Sequence, residues 1–554
     1  MSINGGGLIK KKFKMKNKNT ILKLAASAAL AVSAIAPSFA QTNLGASCGC
    51  PAVGTRTEVL LSTLAVVGTA NDGDLLANTT LTCDKTYILD KKIYVPSGIT
   101  ITIEPGTVIK GNPAPLGDAV NASALIVGQG GKINAYGTES CPIVFTAAAD
   151  PMDGSYGIAN RGKWGGVVLL GKAANNLGPA NLAGLGISPG VGFIEGFLSA
   201  TSRNHFGGGL SPDNADNSGV MKYVSIRHAG AILSVTTAGN ELNSLTLGSV
   251  GSGTTLENLE IVSGDDEGIE LFGGTVNLKK VAAMYCADDM FDWDLGYSGK
   301  MQFLFGIKTD TATAKTADNG IEADSDDNAS DTIFRSNPKI WNATFIGTLN
   351  SAYSGDNSGQ SAVMAKENTD GEIYNSIFAN WHKGLTIQKT MGSGRSPEEA
   401  YDNWIAGDFK FKNNTMINCV KPISLNKYGA TAASASDSTK FFADGNTSVS
   451  SVPGFDFTWA ANTSTNVVSD KFVAAPTSNI SSSLSPSYSD SFFEATSYRG
   501  AFDANKTNWM SSWSINRTIG ATNLVACPTD LNNSGKTDNS DFLILLGKFG
   551  QSCN

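Results

Sequence analysis

Three stretches decide the fold when set one above another: Asp266-Glu267-Gly268-Ile269-Glu270-Leu271-Phe272, Asp288-Asp289-Met290-Phe291-Asp292-Trp293-Asp294 and Asp318-Asn319-Gly320-Ile321-Glu322-Ala323-Asp324. The first offset is 22 residues and the second 30, one turn of a β-solenoid followed by a turn with an inserted loop. Fainter continuations are His382-Lys383-Gly384-Leu385-Thr386 and Lys421-Pro422-Ile423-Ser424-Leu425. Successive side chains of a strand point to opposite faces. Ile269, Phe291, Ile321, Leu385 and Ile423 are therefore expected to form an inward column. Glu270, Asp292 and Glu322 point outward, with Asp294 and Asp324 one pleat along. One such unit cannot bury its apolar face, so stacking must supply the core.

The same texture extends toward the N-terminus. Ile99-Thr100-Ile101-Thr102-Ile103, Ala124-Leu125-Ile126-Val127, Lys132-Ile133-Asn134-Ala135-Tyr136 and Ile143-Val144-Phe145-Thr146 are short β-branched runs between Gly, Pro and Ser turns. No amphipathic helix of normal length separates them. Strands this short and this regularly spaced fit the rungs of a parallel β-helix better than a sandwich.

Composition bounds the setting. Charged residues are 16% of the 554, against about 25% in typical soluble domains. Met1–Ala40 holds seven lysines and no acid. Its apolar run Ala25–Ile35 and the closing Ala-Pro-Ser-Phe-Ala have the layout of a secretory signal peptide, with Met1 or Met15 as the start. Without that segment the net charge falls from −8 to −15, which argues against nucleic-acid or anionic-membrane partners. No later run reaches the roughly 18 apolar residues of a membrane helix. The reading is an exported monomer, extracellular or on the outer cell surface. Its parts are a signal peptide (1–40), a lead-in (41–79), the β-helix (80–428), loop-rich final coils (429–525) and a small C-terminal module (526–554).

Eight cysteines, Cys48, Cys50, Cys83, Cys141, Cys286, Cys419, Cys527 and Cys553, suit an oxidising compartment. They allow 105 full pairings. Cys48-Gly49-Cys50 reads as a stapled N-terminal end, and Cys527 with Cys553 as the best single disulfide. Trp164, Trp381 and Trp404 read as core or cap packing rather than sugar platforms.

Arg161-Gly162-Lys163-Trp164-Gly165-Gly166, Gly264-Asp265-Asp266, Phe272-Gly273-Gly274-Thr275-Val276-Asn277, Phe291 to Lys300 and Tyr498-Arg499-Gly500-Ala501-Phe502 resemble a family of exported bacterial β-helix proteins. That family is common in Bacteroidota and mostly of unassigned function. The resemblance runs over about Thr80–Trp513 and implies an all-β, right-handed parallel β-helix of the pectin-lyase-like kind.

Two places carry chemistry. Residues 265–327 hold 14 acids and five lysines. The candidate ligands there are Asp265, Asp266, Glu270, Asp288, Asp289, Asp292, Asp294, Glu322 and Asp324. Carboxylates on neighbouring rungs stand about 4.8 Å apart and repel by about 0.8 kcal/mol in water or about 3 at an effective dielectric near 20. They need a cation, lysines such as Lys279, Lys280 and Lys300, backbone donors, or protons. The readings are a solvated face with turn-capping Asp, a Ca²⁺ or ligand site, and catalysis. Gly264-Asp265-Asp266 is similar to the paired aspartates of polygalacturonases. The Gly-His-Gly of those enzymes is missing, and Arg161-Gly162-Lys163, the only Arg-x-Lys match, lies far upstream. For a lyase, Arg227 is the nearest arginine, and it reads more simply as a surface residue.

The second place is Asp530-Leu531-Asn532-Asn533-Ser534-Gly535-Lys536-Thr537-Asp538-Asn539-Ser540-Asp541. Asp530, Asn532, Ser534, Asp538 and Asp541 take the oxygen positions of an EF-hand loop, with the Lys536 carbonyl at position 7 and Gly at the turn. The segment resembles a single dockerin loop, and its expected cofactor is Ca²⁺. A Cys527–Cys553 staple would stabilise it by roughly 3–4 kcal/mol. The functional expectation is a non-enzymatic surface, adhesion or glycan-binding protein attached to a cell-envelope or glycan partner. The alternative is a glycoside hydrolase or polysaccharide lyase.

Overall fold

The computed structural model describes residues 44, 48–64, 66–68, 72–112, 122–153, 155–178, 188–194, 201–231, 242–308, 319–325, 334–349, 360–389, 400–425, 433–453, 478–486, 491–510, 512–515, 542, 543 and 546. The expected signal segment, the expected calcium loop Asp530–Asp541 and the expected Cys527–Cys553 disulfide lie outside them.

The inward column exists. Ile93, Leu125, Val167, Leu245, Ile269, Phe291, Ile321, Val363, Leu385 and Ile423 pair in register on successive parallel strands. They belong to a 12-stranded sheet, and a second sheet has 18 strands. Each coil contributes to both, so the chain winds as a parallel β-helix. The stacking starts before residue 80, because Thr57–Leu60 pairs with Lys85–Leu89 and Asp72–Leu75 with Lys92–Val95. It also passes 428, because Thr415–Ile417 pairs with Thr447–Val449.

The wide sheet bends into two walls at a ladder of left-handed residues: Tyr223, Asn258, Lys280, Phe303, Asn342, Asn375 and Asn413, with φ between 51° and 60°. Asparagine tolerates that region, whereas Tyr, Lys and Phe are strained there. Long strands such as Gly219–Arg227 and Thr255–Val262 run straight through the corner. Inside the helix the aromatics form ladders of their own. Phe345 stacks on Phe378 at 6.0 Å, Phe378 on Phe411 at 5.5 Å and Phe411 on Phe441 at 6.0 Å. Phe441 sits on a short helix, Ala435–Ala443, which begins at a Ser434/Asp437 capping box and closes the last coils. Trp164, Trp381 and Trp404 are buried.

Much of the outer surface is apolar too, and three segments cover it. Leu44 and Val53 lie on Val108 and Val144, tied down by disulfides Cys48–Cys141 and Cys50–Cys83. The hairpin of Gly192–Phe193 and His205–Phe206 covers Tyr94, Ile126, Val168 and Leu170. Ala501, Phe502, Trp509, Met510 and Ile515 cover Val262, Met284, Phe305, Ile307 and Ile346. Cys286 and Cys419 stay reduced.

Because Phe291 is fully buried within the column, Phe291→Ala should cost about 3–5 kcal/mol through lost contacts and the cavity left behind. Chemical denaturation should show it as a lower midpoint with an unchanged m-value.

Candidate functional site

The acids stand on the outer side of the narrow sheet, in three parallel ladders. The first contains Thr246, Glu270, Asp292 and Glu322, paired in register. The second lies two residues before each inward residue and runs Asn243, Glu267, Asp289, Asn319. Its side chains lean onto the first: Asn243 Nδ2 donates to Glu270 Oε2, and Asn319 Nδ2 to Glu322 Oε2 at 3.4 Å. The third starts with the pair Phe272 and Asp294 and continues through Asp324 to Lys366. The Asp265, Asp266 and Asp288 turns lead into the strands. Asp266, Glu270, Asp288, Asp289, Asp292, Asp294, Glu322 and Asp324 lie along this wall, Asp265 faces Gly162, and Glu267, not singled out from sequence, sits among the ladder acids. Its carboxylate forms one group with Asp266 and Asp288 and another with Asp289 and Asp292, each with ligand atoms within 4.8 Å of one another.

The wall is less solvated than expected: Glu267, Asp288, Asp292 and Asp294 are half-buried, and other acids are buried. Asp289 is 1% exposed, Glu322 and Asp324 7%, and Glu270 8%. Asn243 meets Glu270, Asn319 meets Glu322, and Lys366 meets Glu322 and Asp324. The expected lysines are also elsewhere. Lys279 lies on the wide sheet, where it pairs with Glu494 at 2.9 Å, and Lys280 occupies the strained corner of that sheet. The lysine that does serve the column is Lys366, whose Nζ meets Glu322 Oε1 and lies 3.0 Å from Asp324 Oδ2. It follows Asp324 by a long insertion of irregular length, so no repeat period points to it. Backbone donors at the turns are present as expected. Asn319 N–H donates to Asp289 Oδ1, and Leu295 N–H to Asp294 Oδ1 at 2.5 Å.

These partners do not satisfy the column. Among the described residues, Asp292 Oδ1, Asp324 Oδ1, Asn243 Oδ1 and Thr246 Oγ1 are buried without a hydrogen-bond partner. Burial, followed by the charges of Asp266, Glu270, Asp288 and Asp292, pushes the Glu267 carboxyl well above its ordinary range. Burial and then Glu270, Glu322, Asp324 and Asp289 do the same to Asp292. Burial also raises Asp324, against the opposing pull of Lys366. Burial works against the Lys366 ammonium, yet Asp324 and Glu322 outweigh it and hold the proton tightly. One ammonium neutralises the Glu322–Asp324 end. The Glu267–Asp289–Asp292 end is left to take a proton or a hard cation, which oxygen donors in this number suit.

A family model described as a pectate-lyase like beta helix domain matches residues 73–464. The chain belongs to that family. No curated protein matches it. Pectate-lyase-like β-helix domains include enzymes and non-enzymes, so the chemistry rests on these side chains.

Two further residues fall differently from their sequence reading. Arg227 is no surface residue. It is 1% exposed, on the wide sheet, with its guanidinium 3.3 Å from the buried Glu260 carboxylate and 2.6 Å from Ser225 Oγ. Burial lowers its pKa, and the Glu260 charge opposes that. Arg161-Gly162-Lys163, far upstream in sequence, folds against Asp265. Gly162 has φ +61°, and a Cβ there would fall 2.8 Å from Asp265 Oδ2. Arg161 Nε donates to the Tyr285 carbonyl at 2.9 Å. Only winding could bring that element to the paired aspartates.

The raised carboxyls set a pH dependence. A carboxyl whose folded pKa exceeds its unfolded value binds its proton more tightly when folded, so stability falls as pH rises above the unfolded pKa. In chelator, the melting temperature should rise as pH is lowered from about 8 to about 5. Asp292→Asn should flatten that slope, as followed by thermal melts.

Proposed function

We propose that this protein acts outside the cell as a non-enzymatic glycan-binding or adhesion β-helix, holding Ca²⁺ in its acidic column and attached through its C-terminal segment. The observation that carries the cation is the ladder Glu270–Asp292–Glu322, in which the buried Asp292 Oδ1 has no hydrogen-bond partner among the described residues. Glu267, Asp289 and Asp292 would hold the ion, aided by Asp266 and Asp288. A bound cation supplies charge neutralisation and open coordination positions for hydroxyl or carboxylate oxygens of a glycan. Lys366 holds the far end of the column closed and fixes Glu322 and Asp324. Binding rather than turnover is favoured because the basic groups that meet the column are committed, Lys366 to the Glu322 and Asp324 carboxylates and Lys308 to the Asp288 carbonyl.

A second reading, a polysaccharide-degrading enzyme, draws on the placement of Arg161-Gly162-Lys163 beside Asp265. Incubation with a panel of acidic and neutral glycans separates the two. Release of reducing or unsaturated ends would establish the enzyme, and retention of glycan without such products the binder.

For the cation, Ca²⁺ at about a hundredfold above its Kd should stabilise the fold by about 2.7 kcal/mol. The joint variant Glu270→Gln, Asp292→Asn, Glu322→Gln should remove that gain. Thermal melts that ignore Ca²⁺, with the amide variant as stable as the parent, would dismiss the site.

The C-terminal reading has its own check. Calorimetric titration of the full chain should resolve a class of Ca²⁺ sites in the weak extracellular range, on the order of 10⁻⁴ M. Asp530→Ala with Asp541→Ala should delete that class and leave the column's heat in place.

A further inference from the structure

A parallel β-helix has a weakness built into it. Each coil touches only its neighbours, so stability is a sum of local terms and an open end can fray coil by coil. Segment 478–515 runs against that weakness. Its described residues, 478–486, 491–510 and 512–515, lie over the outer surface of the wide sheet and bond to successive coils.

At the last coils, Arg499 donates to the Asn414 carbonyl at 2.8 Å, to Asn413 Oδ1 at 2.6 Å and to the Gly445 carbonyl at 3.3 Å. One coil back, Gly500 N–H donates to the Asn375 carbonyl at 2.7 Å. Next, Ala501 N–H donates to Thr344 Oγ1 at 2.9 Å, and Asn342 Nδ2 to the Tyr498 carbonyl at 2.9 Å. Gln302 exchanges two hydrogen bonds of 2.8 Å with the Glu494 backbone. Phe502 packs on Phe305 at 5.3 Å, and Trp513 meets Tyr223 edge-on at 5.7 Å. The far end is seated on Glu260. Its carboxylate accepts from Ser514 Oγ and from the Ile515 N–H at 3.0 and 3.2 Å, while facing the buried Arg227. If the segment lifted, water would reach that ion pair and an apolar wall.

We propose that segment 478–515 is a clasp that converts the nearest-neighbour stack of coils into one cooperative unit, with Glu260 as its distal seat. The strained corner supports it. Asn342, Asn375 and Asn413, held at positive φ, point their amides at the clasp, so the feature that bends the wide sheet also supplies its hydrogen bonds. Fraying of the last coils and release of the clasp are then a single event, although the Glu260 seat lies several coils away.

Hydrogen exchange on the full chain tests this with Glu260→Gln, which keeps the side-chain shape, and with Trp513→Ala, which leaves the interior core intact if the first variant folds poorly. Amides of the clasp around Gly500–Phe502 and of the last coils, Ile377–Ala379 and Thr415–Ile417, should accelerate together by about tenfold or more. Amides of Ala124–Val127 and Ile143–Ala147 should keep their protection. The proposal is overturned if the acceleration stays within residues 510–515, or if the clasp opens while the last coils exchange as in the parent.

Discussion

Everything in this molecule depends on like stacking on like at one strand spacing. A coil of about 22 residues has too little apolar surface to fold alone, and it becomes stable only when Ile269, Phe291 and Ile321 lie directly above one another. In-register stacking satisfies the backbone and fills the interior. It also imposes the same neighbour on every outward residue, at about 4.8 Å. A sequence that repeats its inward residue repeats its outward one, so an acidic outward position becomes an acidic ladder.

The chain treats its outer surfaces differently along its length. Where outward residues are apolar, a separate piece of chain covers them: the disulfide-tied N-terminal segment, the hairpin ending at Phe206, and the clasp. Phe206 stacks on Phe272 at 5.9 Å, one residue position from where the ladder turns to Asp294 and Asp324. The hairpin therefore ends where the acids begin. Apolar cover and acidic column divide one wall between them.

The column is costly as it stands. Burying carboxylates beside one another is unfavourable unless protons, an ammonium or a metal ion neutralise them. Lys366 answers part of that cost at one end, yet among the described residues one oxygen each of Asp292 and Asp324 has no hydrogen-bond partner. A structural ion-pair network would match its charges throughout. Arg227 and Glu260 show the matched case on the opposite wall, where the pair is sealed by Ser514 and Ile515.

By itself the sequence determined the solenoid, its inward column and the convergence of the acids. Those follow from a two-residue pleat and a repeat length, and both are local periodicities visible in one dimension. It also showed that Cys48 and Cys50 staple the N-terminal end, though not to which partners. Only the tertiary structure decided that much of the column is buried, that Lys366 meets Glu322 and Asp324 while Lys279 pairs with Glu494, and that Arg161-Gly162-Lys163 rests against Asp265. It alone placed Arg227 under the clasp. Each of these depends on insertions of irregular length between coils, or on segments that leave the repeat and return across it. Periodicity fixes which residues share a ladder; where a non-repeating segment lands on that ladder is set by packing in three dimensions.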